Sequence, residues 1–366
     1  LLAFIKFINQ LPWMSDCNLS NFLIGFLIFM AVQNILVVST TGMGDCLWGT
    51  PGIREFKKAF PDASIDLIVK KDWLDLFRHN PHLQNVYPYQ NRWYEQLFLG
   101  LKLLFKPKYT HIYIFHANND FGRMKIFLKS SPLWNHQGHK WCPDQFNVKS
   151  MDDPSIERNL HAIERRLLML KEMDVGYENP QMELFFSDSE ISTFKNYTDN
   201  NGLKDSFVVC HIGASSVDRL WKSKNFYNLA NLILKETSLN IVFGGNKKEL
   251  EILKTLDLPD SDRIFFAFDM SIVNYAYLLS QADMLVSNNT GPMHIGYAVN
   301  TPTIGIFQHV GNGRPDLVGP YKLDKTFFPV VSYLEGATSV EEVWEKFQAI
   351  YQAMEQGRSP KVLVNK

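Results

Sequence analysis

Short apolar runs alternate with amphipathic stretches from residue 34 onwards, and this alternation constrains the fold more than any other feature. The first run is ILVVST, which is followed by a Gly-rich turn, the amphipathic stretch GIREFKKAF and a second run, SIDLIV. Continuous apolar runs of this length are typical of strands buried on both faces of a parallel sheet. The pattern therefore predicts an α/β fold built from strand–helix–strand units.

The alternation occurs in two arrays, which predicts two domains. A chain of 366 residues exceeds what one hydrophobic core usually spans. Gly, Asn and Pro in residues 176–181, followed by a capping-box pattern at Ser187 and Glu190, mark a linker. We expect four parts: an apolar N-terminal extension at 1–33, a first parallel-sheet domain at 34–182, a second at 183–338, and a C-terminal helix and tail at 339–366.

Several helices have recognisable ends or faces. Asp153 as N-cap and Pro154 in the first turn predict the start of the helix that closes the first domain. Ser339 with Glu342 predicts the start of the last helix, which Gly357 stops. KKELEILKTL and SIVNYAYLLSQ are predicted as successive helices of the second array. Another helix there should bury one apolar face, formed by Phe226, Leu229, Ala230 and Ile233.

The charge balance argues against a nucleic-acid partner. The chain has 37 Lys and Arg against 38 Asp and Glu, a formal net charge of -1, so it lacks the basic surplus that nucleic-acid binders carry. Its four cysteines are far apart in sequence, without the paired spacing of a zinc site or a small disulfide scaffold. We therefore expect a small or amphiphilic partner and a reducing compartment.

The N-terminal extension leaves two interpretations open. Its apolar run, residues 22–32, follows an acidic residue, lacks the pattern of a cleavable signal peptide and is too short to span a bilayer. Together with the preceding segment it predicts either a pair of helices on a membrane surface or an amphipathic extension that packs on the protein itself.

The segment TTGMGDCLWGTPGIREF places an acid, Asp45, between the end of the first strand and the start of a helix. Ligands of open parallel sheets bind outside the carboxyl ends of the strands, which is where Asp45 should lie. Gly42 and Gly44 allow a tight turn and close approach of a substrate. An Asp at this position also commonly caps the helix that follows, so the local pattern leaves both roles open.

The segment VSNNTGPMHIGYAV predicts a helix that starts at Thr290, Gly291 and Pro292 directly after a strand. Free N–H groups and the helix dipole at such a start favour a bound anion, such as a diphosphate. His294 lies in this first turn, where it is either a structural hydrogen-bonding residue or a donor to phosphate.

Two further loops of the second array carry candidate ligands of a diphosphate sugar. Ser215 and Ser216 can hydrogen-bond to phosphate oxygens, and Arg219 can neutralise the leaving diphosphate, whereas Trp221 is expected in the core. Glu249 follows a Gly pair and is either a ribose ligand or an exposed helix acid. The chain has no GxGxxG after the first strand and no DxD-like pair at a strand end, so no dinucleotide cofactor and no metal is predicted.

These segments, in this order, resemble glycosyltransferase family 9, the lipopolysaccharide heptosyltransferases. GMGDCLWGTPGIREFKKAFPDASIDLIV looks like the family's opening unit, and SNNTGPMHIGYAVNTPTIGIF matches its sugar-nucleotide site; the likeness runs from residue 34 to residue 321. The resemblance implies a GT-B fold, in which two Rossmann-like domains face a cleft. It also implies an inverting, metal-independent transfer of heptose from ADP-heptose, with no further cofactor, to a lipid-linked core oligosaccharide at the cytoplasmic face of the inner membrane.

The resemblance also implies roles for individual residues. Asp45 would be the general base, Met270 would contact adenine, and Asn289 would lie near the donor sugar. The implied donor-site residues are Gly44, Ser215, Ser216, Arg219, Glu249, Met270, Asn289, Thr290, Gly291, Pro292, Met293 and His294.

Three departures from the family pattern keep alternatives open. The family usually has Asp at Asn289, commonly Lys at Arg219, and often an acid at Lys248. The alternatives are a glycosyltransferase that uses another nucleotide sugar for a different surface glycan, a catalytically silent subunit that binds a nucleotide sugar, and an epimerase of the same fold.

Overall fold

The computed structural model describes most of the chain from residue 34 to residue 357. The N-terminal extension, Asp153, Pro154 and Ser215 lie outside the described residues, so the predictions made for them stay predictions. The described ranges are 34–128, 133–135, 160–171, 175–214, 216–256, 258–308, 314–319, 327–331 and 338–357.

The first lobe contains a parallel sheet of five strands in the order β3-β2-β1-β4-β5. Its strands are β1 (Asn34–Ser39), β2 (Ser64–Lys70), β3 (Asn85–Tyr89), β4 (His111–His116) and β5 (Leu133–Asn135). Its helices are α1 (Met43–Leu47), α2 (Thr50–Ala59), α3 (Trp93–Leu104) and α4 (Ala162–Lys171), with 3₁₀ segments at Lys71–Phe77 and Asn119–Phe127.

The second lobe contains a parallel sheet of six strands in the order β11-β10-β9-β6-β7-β8. Its strands are β6 (Phe207–His211), β7 (Asn240–Gly245), β8 (Ile264–Phe268), β9 (Met284–Asn288), β10 (Thr303–Phe307) and β11 (Phe327–Val331). Its helices are α5 (Asp188–Asn201), α6 (Ser223–Glu236), α7 (Lys247–Lys254), α8 (Ile272–Gln281), α9 (Gly291–Ala298), α10 (Pro315–Val318) and α11 (Val340–Glu355), with a 3₁₀ segment at Val217–Arg219.

Both sheets reverse their strand order beside the first strand of the lobe. In the first lobe β2 and β4 flank β1, and in the second β7 and β9 flank β6. Such reversals open a crevice at the carboxyl ends of the strands, where ligands of doubly wound sheets bind. The predicted α/β class with two Rossmann-like parallel sheets is confirmed, and the two crevices are the expected positions of the site.

The predicted helix ends and faces of the second lobe are confirmed. Capping boxes at Ser187 and Ser339 start α5 and α11, and Gly357, with a φ of 66°, follows the end of α11. The apolar face predicted for α6 is fully buried in the core. Two strands of this lobe were missed: β8, which lies between the two helices predicted to follow each other, and β11.

The helix predicted from Asp153 onwards is not continuous through residues 160 and 161, and its predicted start lies outside the described residues. Leu160 and His161 are not helical, and the helix begins at Ala162 rather than continuing from Asp153. The imidazole of His161 explains this start, because its Nδ1 accepts a hydrogen bond of 3.1 Å from the N–H of Ile163 in the first turn. Its Nε2 then carries the hydrogen and donates to the carbonyl of Gly319 at 2.7 Å.

Polar contacts along residues 179–183 hold the two lobes together. Arg54 of α2 donates to the carbonyl of Gln181 at 2.9 Å and pairs with Glu183 at 2.6 Å. The amide of Gln181 in turn donates to the carbonyl of Tyr297, at the far end of α9, at 2.8 Å. The segment between the lobes is therefore bonded to both of them.

None of the helices in the described part of the chain is long and apolar enough to cross a membrane.

Replacement of Trp221 by Phe should lower the free energy of unfolding by about 1–3 kcal/mol, because the variant leaves the carbonyl of Thr338 without its donor. The indole is 1% exposed and donates to that carbonyl at 2.9 Å. Urea denaturation measures the change. Trp93→Phe is the matched control, since Trp93 is 72% exposed; equal effects of the two substitutions would contradict the assignment of Trp221 to the core.

Candidate active site

Asp45 lies in α1, directly beyond the carboxyl end of β1. Its Oδ2 accepts hydrogen bonds from the N–H of Gly42 at 3.1 Å and from the hydroxyl of Thr41 at 3.0 Å. The first of these bonds is the half of a capping box that the N3 carboxylate makes with the N–H of the N-cap residue, here Gly42, so Asp45 does cap a helix. The side chain is nevertheless 24% exposed and lines a cavity. The capping role and the position at the site predicted from the sequence are therefore compatible, since the cap fixes the carboxylate beside the cavity.

A buried guanidinium faces the other oxygen of this carboxylate. Nη2 of Arg166, on α4, is 3.5 Å from Oδ1 of Asp45, and the Arg166 side chain is only 2% exposed. The guanidinium also lies over the ring of Trp48, 5.2 Å from its centroid. Burial lowers the pKa of Arg166 from 12.5 to about 10, and the negative charge of Asp45 opposes this shift. Arg166 is therefore still charged at neutral pH and balances the charge of Asp45.

A short chain of hydrogen bonds connects Asp45 with His116, the last residue of β4. The Thr41 hydroxyl lies 2.6 Å from Nδ1 of His116 and donates to Asp45. Because a hydroxyl has one hydrogen to donate, Thr41 accepts from Nδ1 of His116 while it donates to the carboxylate. This fixes the imidazole tautomer and the orientation of Asp45 together.

Helix α9 of the second lobe starts opposite α1. Thr290 is its N-cap but makes no capping bond with its side chain, and Pro292 occupies the first turn. A Cβ added to Gly44 would lie 2.5 Å from the ring of His294, and one added to Gly291 would lie 2.8 Å from the sulfur of Met43. The two helices therefore approach so closely that each needs a glycine at the contact.

A cavity of about 290 Å³ lies between these two helix starts. It is bounded by residues from both lobes, including Asp45 of the first lobe and the start of α9 in the second. The lining residues are Gly42, Met43, Gly44, Asp45, Trp48, Trp73, Arg219, Asn289, Thr290, Gly291, Pro292 and His294.

A larger cavity of about 710 Å³ adjoins it, a volume within the usual range of small-molecule sites. The two cavities share Met43, Trp73, Thr290 and Pro292. The rest of the larger cavity's lining comes from the ends of β6, β7 and β8 and from the loops and helices that follow them: His211, Ala214, Gly245, Asn246, Lys247, Lys248, Glu249, Ala267, Asp269, Met270, Ile272 and Tyr275.

Glu249 is half-buried at the wall of the larger cavity rather than fully exposed. Its Oε2 accepts from the N–H of Asn246 at 2.5 Å in a capping box at the start of α7. Burial raises its pKa, and the hydrogen bonds from Asn246 oppose this shift. Asp269, nearby, has a φ of 69°, a backbone conformation that is uncommon for a residue with a side chain and clusters at functional sites.

His294 is neutral in this environment. Burial lowers its pKa from 6.5 to about 3, and the charge of Asp45 opposes that shift. Its ring packs edge-on against Trp48 with centroids 4.9 Å apart, and its Nδ1 has no hydrogen-bond partner among the described residues. Because His294 lines the smaller cavity, its imidazole is a candidate contact for a ligand there.

The structure brings ten of the predicted residues to the two cavities. Met293 is instead fully buried in the core, and Ser216 is exposed and lines neither cavity. Ser215 lies outside the described residues. The residues at the smaller cavity are Gly44, Asp45, Arg219, Asn289, Thr290, Gly291, Pro292 and His294; Glu249 and Met270, together with Thr290 and Pro292, line the larger one.

Sequence reasoning missed the three residues that hold Asp45. Thr41 closely follows β1, a strand that the apolar pattern predicted, so its position offered a signal; His116 is the last residue of β4. Arg166 gave none, because it comes from a helix more than a hundred positions away in the chain. Among the described residues, no three His, Cys, Asp or Glu side chains are grouped so that they could hold a metal ion.

The family model described as "Glycosyltransferase family 9 (heptosyltransferase)" matches residues 133–345, more than half of the chain. The chain belongs to glycosyltransferase family 9. It is therefore a glycosyltransferase, as the resemblance implied. The matched range contains α9 and most of the residues that line the larger cavity but begins after Asp45.

Individual relatives agree with this assignment. The chain is 22% identical over 275 residues to lipopolysaccharide heptosyltransferase 3 of Escherichia coli, covering 72% of this chain and 80% of that protein. Its structure is similar to that of a family 9 glycosyl transferase from Veillonella parvula, with a TM-score of 0.75, 16% identity and coverage of 87% and 97%. An E. coli heptosyltransferase solved with ADP-2-deoxy-2-fluoro heptose gives a TM-score of 0.68, 17% identity and coverage of 87% and 99%. These likenesses confirm the predicted GT-B fold.

Replacement of His294 by Gln should flatten the pH dependence of stability. The unfolded state binds a proton on this imidazole below about pH 6.5, whereas the folded state binds it only near pH 3. Stability is therefore lost as the pH falls from 6.5, and between pH 7 and pH 5 the native chain should lose about 2 kcal/mol more than the variant. Urea denaturation at the two pH values measures this difference.

The control for that measurement is His79→Gln, which removes an imidazole whose side chain is 40% exposed. If the native chain and the His294 variant lose the same free energy of unfolding on acidification, His294 is not held neutral by burial.

Proposed function

We propose that the chain transfers a heptose from ADP-heptose to a lipid-linked lipopolysaccharide core oligosaccharide, with inversion and without a metal ion, at the cytoplasmic face of the inner membrane. The observation that carries this proposal is the smaller cavity, where Asp45 of the first lobe and the start of α9 in the second line one space. The family supports glycosyl transfer, and the names of the relatives supply the heptose and the acceptor.

The donor would lie across both cavities. Its diphosphate would accept hydrogen bonds at the start of α9, where the helix dipole favours an anion, and Arg219 at the same cavity would neutralise part of its charge. The nucleoside would occupy the larger cavity, with the ribose near Glu249 and the adenine near Met270. Neutral His294 could donate one hydrogen bond to a phosphate oxygen.

The reaction would be one displacement at the anomeric carbon. Asp45 takes the proton of the acceptor hydroxyl, whose oxygen forms the new bond to that carbon from the face opposite the diphosphate. The bond between the carbon and the diphosphate oxygen breaks, and ADP leaves with the electron pair. The hydrogen bonds of Asp45 to Thr41 and Gly42 leave Oδ1 as the oxygen that is not used in the cap. Arg166 would balance the charge of the base, and the α9 start would bind the leaving diphosphate.

Replacement of Asp45 by Asn should lower kcat by about 10²–10⁴-fold, because the amide cannot take the acceptor proton. The affinity for ADP, measured by calorimetry, should stay unchanged. Asp62→Asn is the control, since Asp62 is an exposed acid of the same lobe. Transfer is followed as ADP release with a core oligosaccharide acceptor, in the presence of EDTA because the proposed reaction needs no metal ion.

Two outcomes would contradict the proposal in different ways. If Asp45→Asn transfers heptose at the native rate, Asp45 is not the base. If the native chain binds ADP-heptose but transfers it to no acceptor, the chain is a binding subunit rather than an enzyme.

Asn289 favours one second candidate, a transferase that uses another nucleotide sugar. It stands where the family usually has Asp and lines the smaller cavity, so an amide replaces a charge near the donor sugar. A panel of ADP- and UDP-sugars, assayed for nucleotide release, separates the two. We expect the highest kcat/KM for ADP-heptose. A preference for another donor would establish the second candidate, and conversion of a donor without any acceptor would indicate an epimerase.

A further inference from the structure

Helix α3 has large apolar side chains on the side that faces away from the protein. Its inner side is buried against the first lobe through Gln96, Leu99, Gly100 and Leu103. We define the outer face of α3 by six residues with their exposed fractions: Trp93 72%, Tyr94 38%, Leu97 40%, Phe98 69%, Leu101 42% and Phe105 88%.

These six residues form one continuous stripe. With 3.6 residues per turn, they fall within an arc of about 140°, on the side of the helix opposite the buried residues. Single exposed apolar residues are ordinary on a protein surface, but a contiguous stripe that includes Trp, Tyr and Phe indicates an interaction surface. A helix that is apolar on nearly all sides needs a second surface to pack against, besides the core of its own domain.

The charge around the stripe is positive. Residues 92–126 contain six Lys and Arg against two Asp and Glu, although the whole chain has a net charge of -1. Five of the six basic residues are exposed, whereas Asp120 is partly buried and accepts from the hydroxyl of Tyr89 at 2.6 Å. The five exposed residues are Arg92, Lys102, Lys108, Arg123 and Lys125.

The stripe also begins at the end of the first-lobe sheet where the candidate active site lies. Because α3 follows β3 in a parallel sheet, Trp93 lies at the carboxyl ends of the strands, as do Asp45 and His116. Gln96 on the inner side donates to the hydroxyl of Tyr89, the last residue of β3, at 2.9 Å and fixes this end of the helix to the sheet.

We propose that the outer face of α3 docks onto a bilayer surface that contains anionic lipids. Aromatic side chains and flanking Lys and Arg are the composition of helices that lie in the interface, with the apolar face in the headgroup boundary and the basic residues on anionic headgroups. A symmetric pair of copies is a poorer occupant, because it would bring the same basic residues of both copies together. This surface would hold the first lobe against the membrane with the cleft edge close to the lipid.

The test is flotation of the full-length chain with vesicles of phosphatidylcholine alone and of phosphatidylcholine with phosphatidylglycerol. No donor or acceptor is present, so the result does not depend on the proposed transferase activity. The variant Phe98→Glu/Phe105→Glu introduces two charges into the outer face. The matched control Ile191→Glu/Ile252→Glu introduces two charges at residues of the second lobe that are 45% and 46% exposed.

We expect the native chain and the control to bind vesicles with phosphatidylglycerol, more weakly at high salt, and the α3 variant to bind at least about tenfold more weakly. A native circular dichroism spectrum and an unchanged midpoint of urea denaturation show that the variant is folded. Native-like flotation of the variant would overturn the proposal and point to residues 1–33. Failure of the native chain to bind either vesicle would also overturn it, as would a native dimer that becomes a monomer in the variant.

Discussion

The close contact between α1 of the first lobe and α9 of the second determines the geometry of the site. Gly44 lies against the ring of His294, and Gly291 lies against Met43, so there is no room for a larger side chain at either glycine without a shift of its neighbours. The contact brings a carboxylate and a helix start, which belong to different sheets, to the two sides of one small cavity. Each sheet contributes to this cavity the residues that follow its own strand-order reversal. The two crevices therefore form one cleft.

The carboxylate in this cleft has a buried partner of opposite sign. Asp45 faces Arg166, and Arg166 is buried so deeply that its pKa falls to about 10. Removal of one member of such a pair leaves the other charge buried without compensation. On the other side the α9 start and Arg219 offer positive potential. This difference suits a reaction in which a proton is removed at one end and negative charge develops at the other.

The sequence predicted the fold class and most of the second lobe because those features depend on local patterns. Apolar periodicity located α6, and capping boxes located the starts of α5 and α11. The helix start at Ala162 was not predicted, because the ring of His161 caps it through a contact that no propensity describes. In the site, the helix start at Thr290 was visible from its Gly-Pro pair, whereas the pairing of Asp45 with Arg166 depends on tertiary packing. Met293 was predicted in the donor site from its position in α9, but it is fully buried in the core.

The central claim is that a nucleotide diphosphate binds at the start of α9 and faces Asp45 across the smaller cavity. A crystal structure of the chain with ADP tests it most directly. We expect phosphate oxygens within hydrogen-bonding distance of the Gly291 N–H and of Arg219. The adenine should lie beside Met270, and the Asp45 carboxylate should be directed at the space beyond the terminal phosphate. A diphosphate bound elsewhere, or an Asp45 carboxylate turned away from that space, would contradict it.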